Sequence, residues 1–146
     1  MKLVINASIQ IQKPINEIFE ALVNPEKMTQ YFISESTGKL EENKEVKWKW
    51  PEFPEHESIV NNIKIVENVS VSFVWDNNTT VKICLEEQAD KSVVVRVSEG
   101  EKELNDQNLE WFSGNTFGWA NFLACLKAYL EYGINLRKGA FEFMRS

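Results

Sequence analysis

The stretch GWANFLACLKAYLEYG, Gly118 to Gly133, decides the fold. Trp119, Phe122, Leu123, Leu126, Tyr129 and Leu130 recur at spacings of three and four, the signature of an amphipathic helix with one apolar face. The spacing predicts a helix over 115–132. Gly133 suits its end, and Arg137 and Lys138 suit the negative end of its dipole. Upstream, Trp111, Phe112 and Phe117 continue the spacing. Ser113-Gly114 and Gly118 weaken it, so residues 106–113 are expected to form a separate first turn.

Everything before this helix reads mostly as strands. Leu3, Ile5, Ala7, Ile9 and Ile11 alternate with polar residues, the pattern of a half-buried strand. Pro14 opens a short helix carrying Ile15, Ile18, Phe19 and Leu22, and Asn24-Pro25 breaks it and starts a second one over 25–31. Residues 32–40 are strand-like. Val46, Trp48 and Trp50 alternate with charged neighbours. Ile59, Asn61, Ile63 and Ile65 share one face of a long strand. Val69, Val71, Phe73 and Trp75 share one face of the next. Val81, Ile83 and Leu85 follow, then Val93, Val95 and Val97, with polar turns such as Asp76-Asn77-Asn78 between them. The order is one strand, two short helices, six strands and a long helix. An antiparallel sheet with helices on one face satisfies it, in an α+β domain spanning 1–146.

Composition narrows the function. The chain has 146 residues, a net charge of −6 and a pI near 4.9. That balance disfavours nucleic acid and anionic membrane surfaces. No segment has the length of a membrane span and no export signal is legible, so the expected location is cytoplasmic, with Cys84 and Cys125 as free thiols. Aromatic residues are abundant, with five Trp, nine Phe and three Tyr, and rings are what line small-molecule pockets.

The chain resembles the START-like (SRPBCC, Bet v 1-like helix-grip) superfamily, in the branch of the activator of Hsp-90 ATPase homologues. The opening INASIQIQKPINEIFEALVNPEKMTQYF (5–32) is similar to that family's first strand and two short helices. VNNIKIVENVSVSFVW (60–75) is similar to its central strands, and residues 118–133 are similar to its C-terminal helix. The chain departs from the family in the turn between strands two and three, where a double glycine is usual. It has a single Gly38 and a charged turn, Glu41-Glu42-Asn43-Lys44. The resemblance implies a curved seven-stranded sheet wrapped around the long helix with a cavity between them. Members of the superfamily bind hydrophobic ligands, catalyse or regulate a chaperone, and fold alone does not choose.

The residues offer little for catalysis. His56 is the single histidine and lies in a Pro-rich acidic loop, where a solvated role is expected. One His and two distant Cys provide no zinc spacing, and no phosphate-cradling glycine motif occurs, so neither metal nor cofactor is expected. Glu99 and Glu110 are candidate carboxylates for acid–base work, and both are expected to be solvated. The expectation is a non-catalytic protein binding a hydrophobic or amphipathic small molecule between sheet and helix. Its candidate site residues are Trp48, Trp50, Asn61, Phe73, Trp75, Trp119, Phe122, Leu126 and Tyr129, with Asn61 as a polar anchor on the apolar face. A bulge that turns Asn61 outward is the competing reading. The alternatives are a chaperone-regulating interaction module, with a chaperone or homodimer contact, and a cyclase- or hydrolase-like enzyme.

Overall fold

The computed structural model describes residues 1–145, with Asn77 described by its backbone alone. The chain runs β1 (Lys2–Ile11), α1 (Ile15–Val23), α2 (Pro25–Met28), β2 (Glu35–Ser36), β3 (Val46–Lys49), β4 (Glu57–Val66), β5 (Ser70–Val74), β6 (Thr80–Glu87), β7 (Val93–Glu103) and α3 (Asp106–Tyr132). The seven strands form an antiparallel sheet in the order β1-β7-β6-β5-β4-β3-β2. Its two ends in space are therefore the first two strands in sequence, separated in the chain by α1 and α2. The fold is α+β and helix-grip-like, as expected.

Helix α3 lies against β1 and β7 and buries Trp119, Phe122, Leu123, Cys125 and Leu126. The opposing sheet face contributes Ile5, Val60, Val71, Val81, Val95 and Val97, all at or near complete burial. Tight turns replace the glycines that antiparallel connections usually require. Asn43, Asn68, Asn78 and Lys91 adopt left-handed backbone angles, with φ of 65°, 59°, 58° and 73°. Asparagine tolerates that region better than other non-glycine residues. Asn43 thus bends the charged turn before β3 without the double glycine.

Three expectations need correction. Residues 106–113 are not a separate turn, because α3 is continuous from Asp106. Asn105 caps it, its side chain accepting from the Asn108 N–H at 2.8 Å, and neither Gly114 nor Gly118 interrupts it. Residues 32–40 are strand only at Glu35–Ser36. Finally, the face assignment in β4 breaks in the middle. The pairing with β5 shifts register between Asn61 and Lys64, and Asn62 takes φ of 49°. Ser58 and Val60 point inward before this bulge and Ile63 after it, so Ile59 and Asn61 lie on the outer face.

Candidate functional site

The rings expected to line a cavity divide into two groups. Trp48, Phe73, Phe122 and Leu126 are sealed in the core, none more than 2% exposed. Trp48 packs edge-on against Phe32 and Phe73 at centroid distances of 5.4 Å. These side chains fill the space under α3. Tyr129 is partly buried and stacks on Tyr31 at 5.7 Å, away from any opening toward the other rings. Asn61 borders a shallow depression on the outer face of the sheet with Asn62, Lys64 and Ser72.

The second group surrounds a cavity of about 140 Å³ at the end of the sheet where β3, β5 and β7 meet the first half of α3. Four of its lining rings touch one another in turn. Phe32 meets Trp50 at 5.1 Å, Trp50 meets Trp75 at 6.2 Å, Trp75 meets Trp119 at 5.4 Å, and Trp119 meets Phe32 at 6.2 Å. Asn115, Gly118 and Arg137 complete the lining. Gly118 leaves the helix wall open, since a Cβ there would meet nothing within 4 Å.

Behind two of these rings sits Glu99, which is only 1% exposed. Its Oε2 accepts from Trp75 Nε1 at 2.8 Å and Thr79 Oγ1 at 2.5 Å. Its Oε1 accepts from Trp119 Nε1 at 2.8 Å and Asn115 Nδ2 at 3.0 Å. All four donors are neutral. A buried carboxylate is tolerated only when its lone pairs are filled, and here each oxygen takes two hydrogen bonds. Glu99 therefore fixes both indole planes and the Asn115 amide at once. The expectation of a solvated Glu99 is corrected. Val93, Val95 and Val97 are buried on β7, and Glu99 is the next residue in that period-two series, on a strand that runs to Glu103 rather than stopping at Ser98. Glu110 is exposed, as expected.

The rim is built by the chain after α3. Gly133, at φ of 64°, ends the helix in a left-handed cap. The chain then brings Arg137 back over the mouth. Its Nη2 and Nε donate to the two oxygens of Glu52 at 2.7 and 3.1 Å, and its guanidinium lies 5.7 Å from the Trp50 ring. Arg145 Nη2 donates to the Pro51 carbonyl at 2.6 Å. A second cleft of about 340 Å³ opens between this returning segment and the turn after α2, sharing Phe32 and Arg137 with the ring-lined cavity. Tyr31 borders it. Its hydroxyl donates to the Ala21 carbonyl at 2.8 Å, and burial, with the nearby Tyr129 phenol, pushes the Tyr31 phenol well above its ordinary range.

His56, Ser58 and Asp76 meet beside Trp50. His56 is exposed, and its Nε2 lies 3.3 Å from Ser58 Oγ and 3.5 Å from Asp76 Oδ2. Ser58, although buried, donates its proton to Asp76 at 2.8 Å and accepts from Trp50 Nε1 at 3.0 Å. That hydroxyl thereby holds Trp50 in place. Burial raises the Cys125 thiol, the opposite of what a reactive thiolate needs. Phe32, Asn115 and Arg137 were not among the candidate residues, and Glu99 was named only as a solvated carboxylate. Of these, only Glu99 had a sequence signal, its phase on β7.

The family model for "Activator of Hsp90 ATPase homolog 1-like protein" matches residues 12–131. No curated protein matches the chain in sequence. Among solved structures, a Staphylococcus saprophyticus protein is similar at 30% identity and a TM-score of 0.81, over 92% of this chain and 96% of that one. The Aha1 dimer from Colwellia psychrerythraea is similar in fold, with 20% identity and a TM-score of 0.76 over 90% and 98%. A Bacillus halodurans protein is also similar in fold, with 19% identity and a TM-score of 0.72 over 86% and 96%. With its seven-stranded sheet, its two short helices after β1 and its long last helix, the chain belongs to the AHSA1 family of proteins like activator of Hsp90 ATPase homolog 1.

Proposed function

We propose that this protein binds a small hydrophobic or amphipathic molecule in the ring-lined cavity between Trp50, Trp75, Trp119 and Phe32. The observation that carries this reading is the division of labour between the two groups of rings. Packing density is met by Trp48, Phe73 and Phe122, which are sealed. Trp50, Trp75 and Trp119 are each held by a hydrogen bond to Ser58 or Glu99 and, with Phe32, border the cavity. Apolar walls with a few fixed polar groups are the usual makeup of a ligand site. The candidate residues are thus narrowed to Trp50, Trp75 and Trp119, joined by Phe32, Asn115 and Arg137. The test is a titration with a neutral naphthalene-based polarity dye, followed by quenching of tryptophan emission, together with native mass spectrometry for co-purified molecules. Saturable quenching that is lost in Trp50→Leu supports the reading. No quenching and no bound mass would remove it.

One observation favours a second reading, a contact with another copy of the chain. Phe117 and Phe143 are 56% and 78% exposed, and Phe141 bridges them at 6.2 and 6.5 Å. A ring cluster with two exposed members, Phe141 being half-buried between them, is a common mark of an interaction surface. The Colwellia structure of the same fold is a dimer. Light scattering on the eluting protein tests it, and a monomer mass at all concentrations would sink it. Regulation of a chaperone ATPase, the activity that gives the family its name, is tested by adding the protein to an Hsp90 ATPase assay.

A further inference from the structure

We infer that the protein takes a small apolar carboxylic acid, with the apolar end in the ring-lined cavity and the carboxylate on Arg137. The inference rests on the small-molecule reading above and names the polar group of the ligand. Among the described residues, Arg137 is the one charged side chain in the lining of that cavity, and it also lines the neighbouring cleft of about 340 Å³. A guanidinium has two edges on which a carboxylate can form paired hydrogen bonds. The edge made by Nε and Nη2 is taken by Glu52, at 3.1 and 2.7 Å. The edge made by Nη1 and the second Nη2 hydrogen is left over, and Nη1 has no hydrogen-bond partner among the described residues. Clamped on one edge, the guanidinium also rests against Trp50 at 5.7 Å and Phe141 at 5.5 Å. Its spare edge is therefore oriented before any ligand arrives.

The local charge has the sign that an acid needs. The whole chain carries a net charge of −6, yet the cleft is lined by Arg137, Lys138 and Arg145 against Glu52 and Glu142, a balance of one positive charge. Two of the chain's three arginines are among them. One carboxylate neutralises that balance, whereas a phosphate dianion overshoots it. Glu99 then sets the direction in which the ligand lies. Its buried carboxylate is bonded to Trp75 and Trp119 and has only neutral partners, so it repels a second carboxylate at that end of the cavity. The acid group belongs at the rim on Arg137, and the apolar end belongs beside the indoles.

Size selects within the acids. A cavity of about 140 Å³ suits a single ring, since a void of roughly 150 Å³ accepts a benzene-sized molecule. Phe32 and Arg137 border both spaces, so a short arm between ring and acid group is enough to join them. Asn115 gives one amide N–H to Glu99 and keeps a second N–H and its carbonyl oxygen, partners for one polar substituent on the ring.

The test uses the purified full chain and two probes of one shape, 3-phenylpropionate and its neutral primary amide, titrated by tryptophan emission and by ligand-observed NMR. The acid is expected to bind at least about tenfold more tightly at low salt, as a charge-assisted pair of hydrogen bonds should, and the margin is expected to shrink as salt is added. Arg137→Gln combined with Glu52→Gln removes both charges together and strands neither, so far-UV circular dichroism is expected to stay unchanged. In that variant the acid is expected to fall to the affinity of the amide, while the amide keeps its own. Lys138→Gln, at an exposed position, is expected to weaken the acid about twofold and leave the amide alone, and it carries the test should the double variant unfold. Equal affinities, or tighter binding of the amide, overturn the acid assignment and leave the small-molecule reading standing. Binding of the neutral naphthalene dye without the acid does the same. A preference for the acid that survives the loss of Arg137 overturns the site. If acid, amide and dye all fail to bind, both readings fall.

Discussion

Trp48 and Trp50 lie two residues apart at the end of β3, yet they belong to two different regions of the molecule. Trp48 is sealed, and its Nε1 has no hydrogen-bond partner among the described residues. Trp50 is partly exposed, and its Nε1 is held by Ser58. The floor under α3, which contains Trp48, Phe73 and Phe122, is made rigid by packing alone. The box above it, which contains Trp50, Trp75 and Trp119, is made rigid by directed hydrogen bonds. Rings in the first region have nowhere to go because neighbours touch them on all sides. In the second, Trp50 and Trp75 are only partly buried and are held in place by those bonds, with Trp119 buried beside them. An aromatic wall around empty space needs the second kind of support, and Glu99 supplies most of it.

The comparison breaks or sharpens under four substitutions. The largest effect is expected in the floor. Phe73→Ala should cost about 3–5 kcal/mol, the usual range for deleting a buried ring, measured by urea unfolding. A loss below about 1 kcal/mol would mean that the floor is not sealed in the way described. Next comes Glu99→Gln, which keeps the shape but turns an amide N–H toward neighbours that are themselves donors. About 2–3 kcal/mol is expected, with a change in tryptophan emission wavelength as the two indoles lose their common acceptor. An unchanged spectrum would show that packing, not Glu99, orients the box. Arg137→Ala is expected to cost about 1–2 kcal/mol, because it strands Glu52, which is only 5% exposed, without its partner. Unfolding of the variant and the parent at low and high salt checks this. The smallest effect has the opposite sign. Gly118→Ala should stabilise α3 by about 0.5–1 kcal/mol, because the helix backbone there gains a better former and the new methyl meets no neighbour. The same methyl projects into the box, so probe affinity should fall while the melting temperature rises.

Much of the fold could be read from residue spacing, and the site could be read only in part. Period-two runs such as Val93-Val95-Val97 and the three–four spacing after Gly118 mark elements whose burial is one-sided, so the pattern reports the face directly. Trp50, Trp75 and Trp119 were identified as wall residues by that means. The misses share a physical cause. Glu99 continues the buried face of β7, but hydrophobic pattern assigns a carboxylate to solvent, and its four partners come from two separate parts of the chain, the β5–β6 turn and α3. Asn61 failed for another reason. A one-residue bulge reverses every side chain beyond it, and the run Ile59, Ile63, Ile65 is in phase only if the strand is regular. Helix α3 crosses Gly114 and Gly118 because about 1 kcal/mol of propensity at each is small against the burial of Trp119 through Leu126 on the same helix. Arg137 carries no local signal at all, since it lies beyond the helix and reaches Glu52 across 85 positions of sequence.

The pairing of β1 with β7 bears on how the molecule is made. Lys2 lies opposite Glu103 and Ile11 opposite Val93, so β1 leaves the ribosome well before the strand it pairs with. Strands β4 to β7 are joined by short turns and can pair one after another as they emerge. During that interval β1 has an unpaired edge and Ile5 and Ile11 are uncovered, and it is covered fully once α3 has been synthesised and docked. The rate of chain elongation through residues 12–132 therefore sets how long the nascent protein presents a sticky β1 to its surroundings.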